Sequence, residues 1–251
     1  MTVRNVAIRP ELREAMRLHR VGAHERAERL YRDVLRKDPK DSVALHFLGL
    51  LQVTLNREHD GFALIEQSLL LNPSRAEFWM NRGVALLQLG RVDMAIPDLE
   101  RAVALSPYLV AAHVSLGQSL CKLNQPAKGL KCFERALQFA PNHPDAHNGR
   151  ANALRMMGDS SAALAALDQS PVATPGAHAQ SLLRATLLAD LQRYQEAIAI
   201  LDEILAVDPV NAAAHCNRAA SLRAIGRIHE SIDAAESAID LSPSLAEAHF
   251  Q

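Results

Sequence analysis

Eleven histidines, three cysteines and twenty-eight carboxylates are the groups in this 251-residue chain that could do chemistry, and metal binding or hydrolysis is the first chemistry to test. His143 and His147 have the i, i+4 spacing that presents two imidazoles on one helical face to a metal. Pro144 between them starts a helix, however, and leaves His143 outside it. His113, His147, His215 and His249 are separated by 34, 68 and 34 residues, which is inheritance from a repeat and not a ligand cluster. Cys121, Cys132 and Cys216 are odd in number and contain no C-x-x-C pair, which argues against a thiolate zinc site or a disulfide framework and for a reducing compartment. The chain has no G-x-S-x-G, no P-loop and no G-x-G-x-x-G, and its carboxylates stand at helix-surface spacings where they are solvated or paired. The reading is therefore no catalytic residue, no metal and no other cofactor.

The elements behind these residues come from a period. Prolines stand at 39, 73, 107, 141, 175, 209 and 243, a spacing of 34 residues six times over. With each proline as place 32, the repeats are 8–41, 42–75, 76–109, 110–143, 144–177, 178–211 and 212–245, after an N-terminal extension 1–7 and before a remainder 246–251. Place 8 reads Ala15, Gly49, Gly83, Gly117, Ala151, Ala185, Ala219, and place 20 reads Ala27, Gly61, Ala95, Gly129, Ala163, Ala197, Ser231. Place 11 (Leu18, Gln52, Leu86, Leu120, Leu154, Leu188, Leu222) and place 24 (Tyr31, Ile65, Leu99, Phe133, Leu167, Leu201, Ala235) are almost all large and apolar. Small residues at 8 and 20 let two antiparallel helices approach closely, and bulk at 11 and 24 fills the space beside them. Place 15 (Gly22, Asn56, Gly90, Asn124, Gly158, Gln192, Gly226) favours the left-handed conformation that ends helix A. Proline at 32 ends helix B. Pro10, Pro126 and Pro144 fit as first helical residues, whereas Pro97 falls inside its B helix and is expected to bend it.

Composition agrees with a packed soluble chain: 49% hydrophobic, 22% charged and 4% aromatic residues, with a formal charge of −1. Nothing in that balance draws the chain to nucleic acid or anionic lipid. No stretch approaches eighteen apolar residues and the Arg-rich start has no apolar core, so neither a membrane span nor a signal peptide is expected, and the location reads as cytoplasmic.

Small 8 and 20, bulky 11 and 24 and proline 32 of a 34-residue unit resemble the tetratricopeptide repeat. Residues 76–109 carry the pattern most fully, with Trp79, Gly83, Leu86, Gly90, Ala95, Leu99, Ala102 and Pro107. The resemblance covers residues 8–245 and implies an all-α fold, an α-α superhelix (TPR solenoid) of seven helical hairpins plus the start of an eighth. The histidines at 113, 147, 215 and 249 occupy place 4, where the family often has an aromatic residue. Place 7, commonly Leu in the family, is Arg at 82, 150, 184 and 218 and Glu at 14, so contacts there must differ.

The resemblance further implies that helices A line a concave groove and that the function is non-catalytic: a protein-protein interaction scaffold holding an extended peptide segment. On family geometry Asn81, Gln118, Asn148, Asn152 and Asn217 face this groove with scattered cations, among them Arg9, Arg13, Arg20, Lys122, Arg155 and Arg223. Amides offer both donor and acceptor to a peptide backbone; they would equally serve to solvate an exposed helix face. The set resembles in part the asparagine ladder of O-linked N-acetylglucosamine transferase repeats, with place 6 held by Asn81 and Asn217 but interrupted by Phe47, Ser115, Gly149 and Leu183. The alternative is therefore the substrate-recruiting N-terminal region of a larger glycosyltransferase-type enzyme. The family's lysine- and asparagine-based clamp for C-terminal carboxylates is not supplied by any three successive repeats.

Two irregularities remain. Pro171 inside the fifth B helix should end that helix near Gln169, leaving either a looser junction between a block of repeats 1–5 and a block of repeats 6–7 or a locally irregular turn with no added flexibility. Ala246–Gln251 begin an eighth helix A without a polar cap, which leaves a stacking face to a continuation of a longer polypeptide or to self-association. Residues 1–41 carry eleven Lys/Arg against seven Asp/Glu, and 178–251 carry five against ten, an asymmetry compatible with head-to-tail contact or with an ordinary surface.

Overall fold

The structure, a computed structural model, describes residues 9–170 and 178–242; these contain fourteen α-helices and no strand. In chain order they are α1 (Pro10–Arg20), α2 (His24–Lys37), α3 (Ser42–Thr54), α4 (Glu58–Leu71), α5 (Ala76–Gln88), α6 (Val92–Leu105) and α7 (Val110–Lys122). There follow α8 (Pro126–Phe139), α9 (Pro144–Met156), α10 (Ser160–Asp168), α11 (His178–Asp190), α12 (Tyr194–Val207), α13 (Ala212–Ala224) and α14 (Ile228–Leu241). Odd helices occupy the A position of the 34-residue frame and even helices the B position. The chain divides into two compact units, Met1–Leu123 and Asn124–Gln251. In the N-terminal unit α1, α3, α5 and α7 pack side by side, and α1/α2, α3/α4 and α5/α6 form hairpins. In the C-terminal unit α9, α11 and α13 stand in the same relation, paired with α10, α12 and α14.

The turn between A and B is set by one backbone conformation. Gly22, Asn56, Gly90, Asn124, Gly158, Gln192 and Gly226 all have φ between 56° and 86°. Even Gln192, a residue with a Cβ cost there, adopts it at φ 60°. Prolines 10, 126 and 144 stand at the first turn of α1, α8 and α9, where a missing N–H is harmless. Pro97 lies within α6, which continues through it from Val92 to Leu105.

Each hairpin closes on its small pair. A Cβ built on Gly49 would sit 2.6 Å from the Gly61 carbonyl oxygen, and one on Gly61 would sit 2.7 Å from that of Gly49. In the last hairpin Ser231 replaces the small apolar residue, and its hydroxyl donates to the Ala219 carbonyl at 2.8 Å. Beside these contacts Tyr31, Ile65, Leu99, Phe133, Leu167 and Leu201 are buried at place 24. Gln52, the one amide at place 11, is buried too; its Nε2 donates to Glu28 at 3.0 Å and its Oε1 accepts from Arg57 at 3.2 Å.

Helix α10 stops at Asp168, as Pro171 requires, against fourteen residues in the other B helices. Ala166 and Leu167 of this shortened helix pack with Leu187 of α11. The connection 171–177, to which a loose junction was assigned, and residues 243–251, with Pro243 and the eighth helix start, lie outside the described residues.

Candidate functional site

The place-4 rings have a common role. Trp79 Nε1 donates to the Pro73 carbonyl at 2.8 Å, and the Nε2 atoms of His113, His147 and His215 donate to the carbonyls of Pro107, Pro141 and Pro209 at 3.0, 2.7 and 3.0 Å. A carbonyl can only accept, so these imidazoles carry their proton on Nε2. Each ring thus satisfies the carbonyl of the proline in the turn after the preceding helix B, six residues earlier. Among the described residues no three His, Cys, Asp or Glu side chains gather as a metal site.

The A helices of the N-terminal unit form a continuous lining. A hollow of ≈ 310 Å³ lies over α1, α3 and α5, floored by Met16, Phe47, Leu50, Val53 and Val84 and rimmed by His19, Arg20, Thr54, Asn81 and Gln88. A second hollow, also ≈ 310 Å³, continues it over α5 and α7 and holds Gln118, Ser115, Ser119 and Lys122. Val84 and Gln88 belong to both. Neither hollow has a carboxylate on its lining. The apolar floor is not legible in the sequence, although Met16, Leu50 and Val84 are successive place-9 residues and Phe47 stands at place 6, because apolar residues at helix spacing read as ordinary core.

Asn81 is anchored from beneath. His46 Nδ1 lies 3.3 Å from the Ser68 hydroxyl, which donates to the Ile65 carbonyl at 2.6 Å. The hydroxyl proton being used, His46 must donate from Nδ1, and its bare Nε2 accepts from Asn81 Nδ2 at 3.1 Å. His46 is fully buried and stacks on Phe78 with centroids 4.0 Å apart. Burial, assisted by the nearby Arg75 charge, pushes its pKa down to about 3. The ring is therefore a neutral relay that fixes the amide on the rim of the hollow.

In the C-terminal unit the sequence-selected residues divide. Asn217 Nδ2 donates to the Thr186 hydroxyl at 3.2 Å, and Arg155 lies 3.8 Å from the Asp190 carboxylate. Asn152 reaches the Met156 sulfur at 3.8 Å. Asn148 has a buried Oδ1 without a hydrogen-bond partner, an acceptor that the fold does not use. Asn81 and Asn217 thus each commit an N–H within the protein, unlike rungs of a free amide ladder. Gly149, which interrupts that ladder, does so for packing: a Cβ there would lie 2.2 Å from the Phe133 ring.

The opposite side of the N-terminal unit has a cleft of ≈ 690 Å³ between α4 and α6, lined by Glu58, Phe62, Glu66, Arg82, Arg91 and Met94 among others. Its charges are largely self-satisfied. Arg91 pairs with Glu58 at 2.6 Å, and Arg82 grips Asp98 through two bonds of 2.5 and 2.6 Å. The A face keeps Arg20 and Lys122 without an ion pair among the described residues, so it is the better candidate for binding.

A family model described as tetratricopeptide repeat matches residues 50–115, and a second of the same description matches 114–178 and 182–246. Among solved structures, a tetratricopeptide repeat protein from Parabacteroides merdae ATCC 43184 shares 16% identity over 95% of both chains with a TM-score of 0.74. The Pseudomonas aeruginosa pilF protein shares 19% identity over 81% of this chain and 93% of its own, with a TM-score of 0.71. YrrB, described as a TPR protein with an unusual peptide-binding site, shares 18% over 73% of this chain and 96% of its own, with a TM-score of 0.56. At such identities the likeness is one of fold. No curated protein matches the sequence. No helix among the described residues is long and apolar enough to cross a membrane.

Proposed function

The chain belongs to the tetratricopeptide repeat family, and from that premise we propose that it is a non-catalytic scaffold whose A helices hold an extended peptide segment of a protein partner. The observation that carries this reading is the pair of adjoining hollows across α1, α3, α5 and α7, where an apolar floor meets amide and hydroxyl rims. An extended segment places alternate side chains toward such a floor and leaves its backbone groups to the rim. Asn81, Gln88 and Gln118 are the amides of this lining; Asn148, Asn152, Arg155 and Asn217 are their proposed counterparts in the C-terminal unit. The peptide-binding description of YrrB gives the reading a precedent within the fold. Ordering a flexible segment opposes binding, so affinities of about micromolar strength are expected.

A photo-crosslinking residue placed at Gln88 or Gln118 tests the face used, with His59 and Ala63 on α4 as controls. In extract of the source organism the A-face positions should give discrete protein adducts that the α4 positions lack. Adducts confined to the α4 positions would overturn the assignment of the groove.

A further inference from the structure

The charge and shape of this lining restrict what can occupy it. The two hollows of the N-terminal unit present Arg20 and Lys122 and no carboxylate. Arg13 stands seven residues before Arg20 on α1, with Met16 between them, and a helix returns to the same face at that interval. Among the described residues Arg13, Arg20 and Lys122 form no ion pair, whereas Arg17 on the same helix is taken by Glu14 at 2.7 Å. All three free cations are exposed. Between the α1 cations and Lys122 runs the floor of Met16, Phe47, Leu50, Val53 and Val84, in a hollow whose ≈ 310 Å³ suits one large side chain.

Resting on the groove reading above, we infer that the partner segment is acidic with an apolar anchor: a bulky Leu, Ile, Met, Phe or Trp side chain seated in the α1–α3–α5 hollow, flanked by Asp or Glu. The carboxylates meet Arg13 and Arg20 on one side and Lys122 on the other. A carboxylate beside the anchor gains charge-assisted hydrogen bonds from guanidinium donors that the fold leaves unused. A basic segment would meet three like charges and no counter-charge, so the same lining selects against it. The opposite cleft between α4 and α6 lacks this character, because its arginines are already neutralised by Glu58 and Asp98.

The test is selection of a displayed random peptide library on the full chain, followed by anisotropy titration of the recovered peptides. The expected recovery is peptides with one large apolar residue within two positions of Asp or Glu. Arg20→Glu should weaken them about tenfold, and a peptide with Lys in place of the acidic residue should regain that loss on the Arg20→Glu protein but not on the parent. Circular dichroism and Trp79 emission check that the variant remains folded. Recovered peptides that are basic or uncharged, yet lose binding on Leu50→Lys, would overturn the acidic-anchor inference and leave the groove reading standing. Failure to recover any sequence, or peptides sensitive to changes at His59 and Met94 instead, would overturn both.

Discussion

Acidification should destabilise the N-terminal unit through His46, and by an amount that can be stated. In the unfolded chain this imidazole binds a proton below its ordinary value of 6.5, while in the fold its pKa is about 3. Between those values the unfolded state holds more protons, so stability is fully present above pH 6.5 and falls as the pH is lowered toward 3. Each pKa unit is worth about 1.4 kcal/mol, and moving from pH 7 to pH 5 therefore removes about 2 kcal/mol. The fold cannot relieve this by charging the ring in place: it lies against Phe78, and its two nitrogens already serve Ser68 and Asn81. Trp79 is the chain's one tryptophan and sits next to Phe78, which makes its emission a reporter for this unit. Urea titrations at pH 7 and pH 5 should be run on the parent and on His46→Gln, which does not titrate. With a slope of roughly 1–3 kcal/mol per molar urea, the parent midpoint should drop about 1 M further than the variant's. The variant will start from lower stability because it loses ring packing, so the comparison is of the two pH dependences. His19, also held below its ordinary value by burial and by His24, remains in both proteins and cancels. Equal drops in parent and variant would refute the reasoning.

Other substitutions probe the repeat itself. Gly49→Ala puts a methyl 2.6 Å from the Gly61 carbonyl oxygen and should cost about 2 kcal/mol or more by thermal unfolding. Gln192→Gly relieves a left-handed backbone at φ 60° and should stabilise the C-terminal unit by up to about 1 kcal/mol in urea titration; no gain would mean that the turn bears no strain. His147→Phe removes the donor to the Pro141 carbonyl and should cost about 1 kcal/mol, while His147→Trp, copying the bond of Trp79, should cost less. Arg82→Ala strands the buried Asp98 carboxylate and should cost about 3–5 kcal/mol, whereas Arg82→Leu with Asp98→Leu should lie near the parent in chemical denaturation.

Much of the fold is written in the period. Proline at place 32, small residues at 8 and 20 and the left-handed place 15 are constraints of backbone geometry, and such constraints show in one sequence because few residue types satisfy them. Even the early end of α10 follows from Pro171 alone. The candidate site was less legible. Asn81 could be placed on the A face by its position, but its bond to His46 joins residues 35 apart through two helices, and no local pattern encodes it. The apolar floor was concealed for a different reason: Met16, Leu50 and Val84 look like ordinary core residues until the adjoining hollow reveals that part of their surface faces outward. Conversely the histidines, prominent in composition, are hydrogen-bond donors to proline carbonyls, a role visible once Trp79 is recognised at the same place as His113 and His147.

Place 7 shows how a departure from the repeat pattern can change what holds the array together. Arg82 reaches sixteen residues forward to Asp98, and Arg150 reaches forward to the Ala166 carbonyl at 3.1 Å, so both tie helix A to helix B of the same hairpin. Arg184 and Arg218 reach sixteen residues backward instead, to Asp168 at 2.7 Å and Asp202 at 2.6 Å on the preceding B helices. An array's stability is approximately a sum of terms within each repeat and between neighbours. A leucine at this place would contribute apolar packing without choosing a direction, whereas the arginines assign the contact to one side or the other. The backward pair therefore strengthens the joints α10/α11 and α12/α13 in the C-terminal unit. The first of these is where the B helix, α10, has nine residues instead of fourteen. These pairs are partly exposed, with side-chain accessibilities of 33% and 60% at Arg184 and Asp168, so each adds at most about 1 kcal/mol. Their value lies in register: a bonded arginine sixteen residues from its partner fixes which turn of α11 meets which turn of α10, at the joint made by the shortest of the B helices among the described residues.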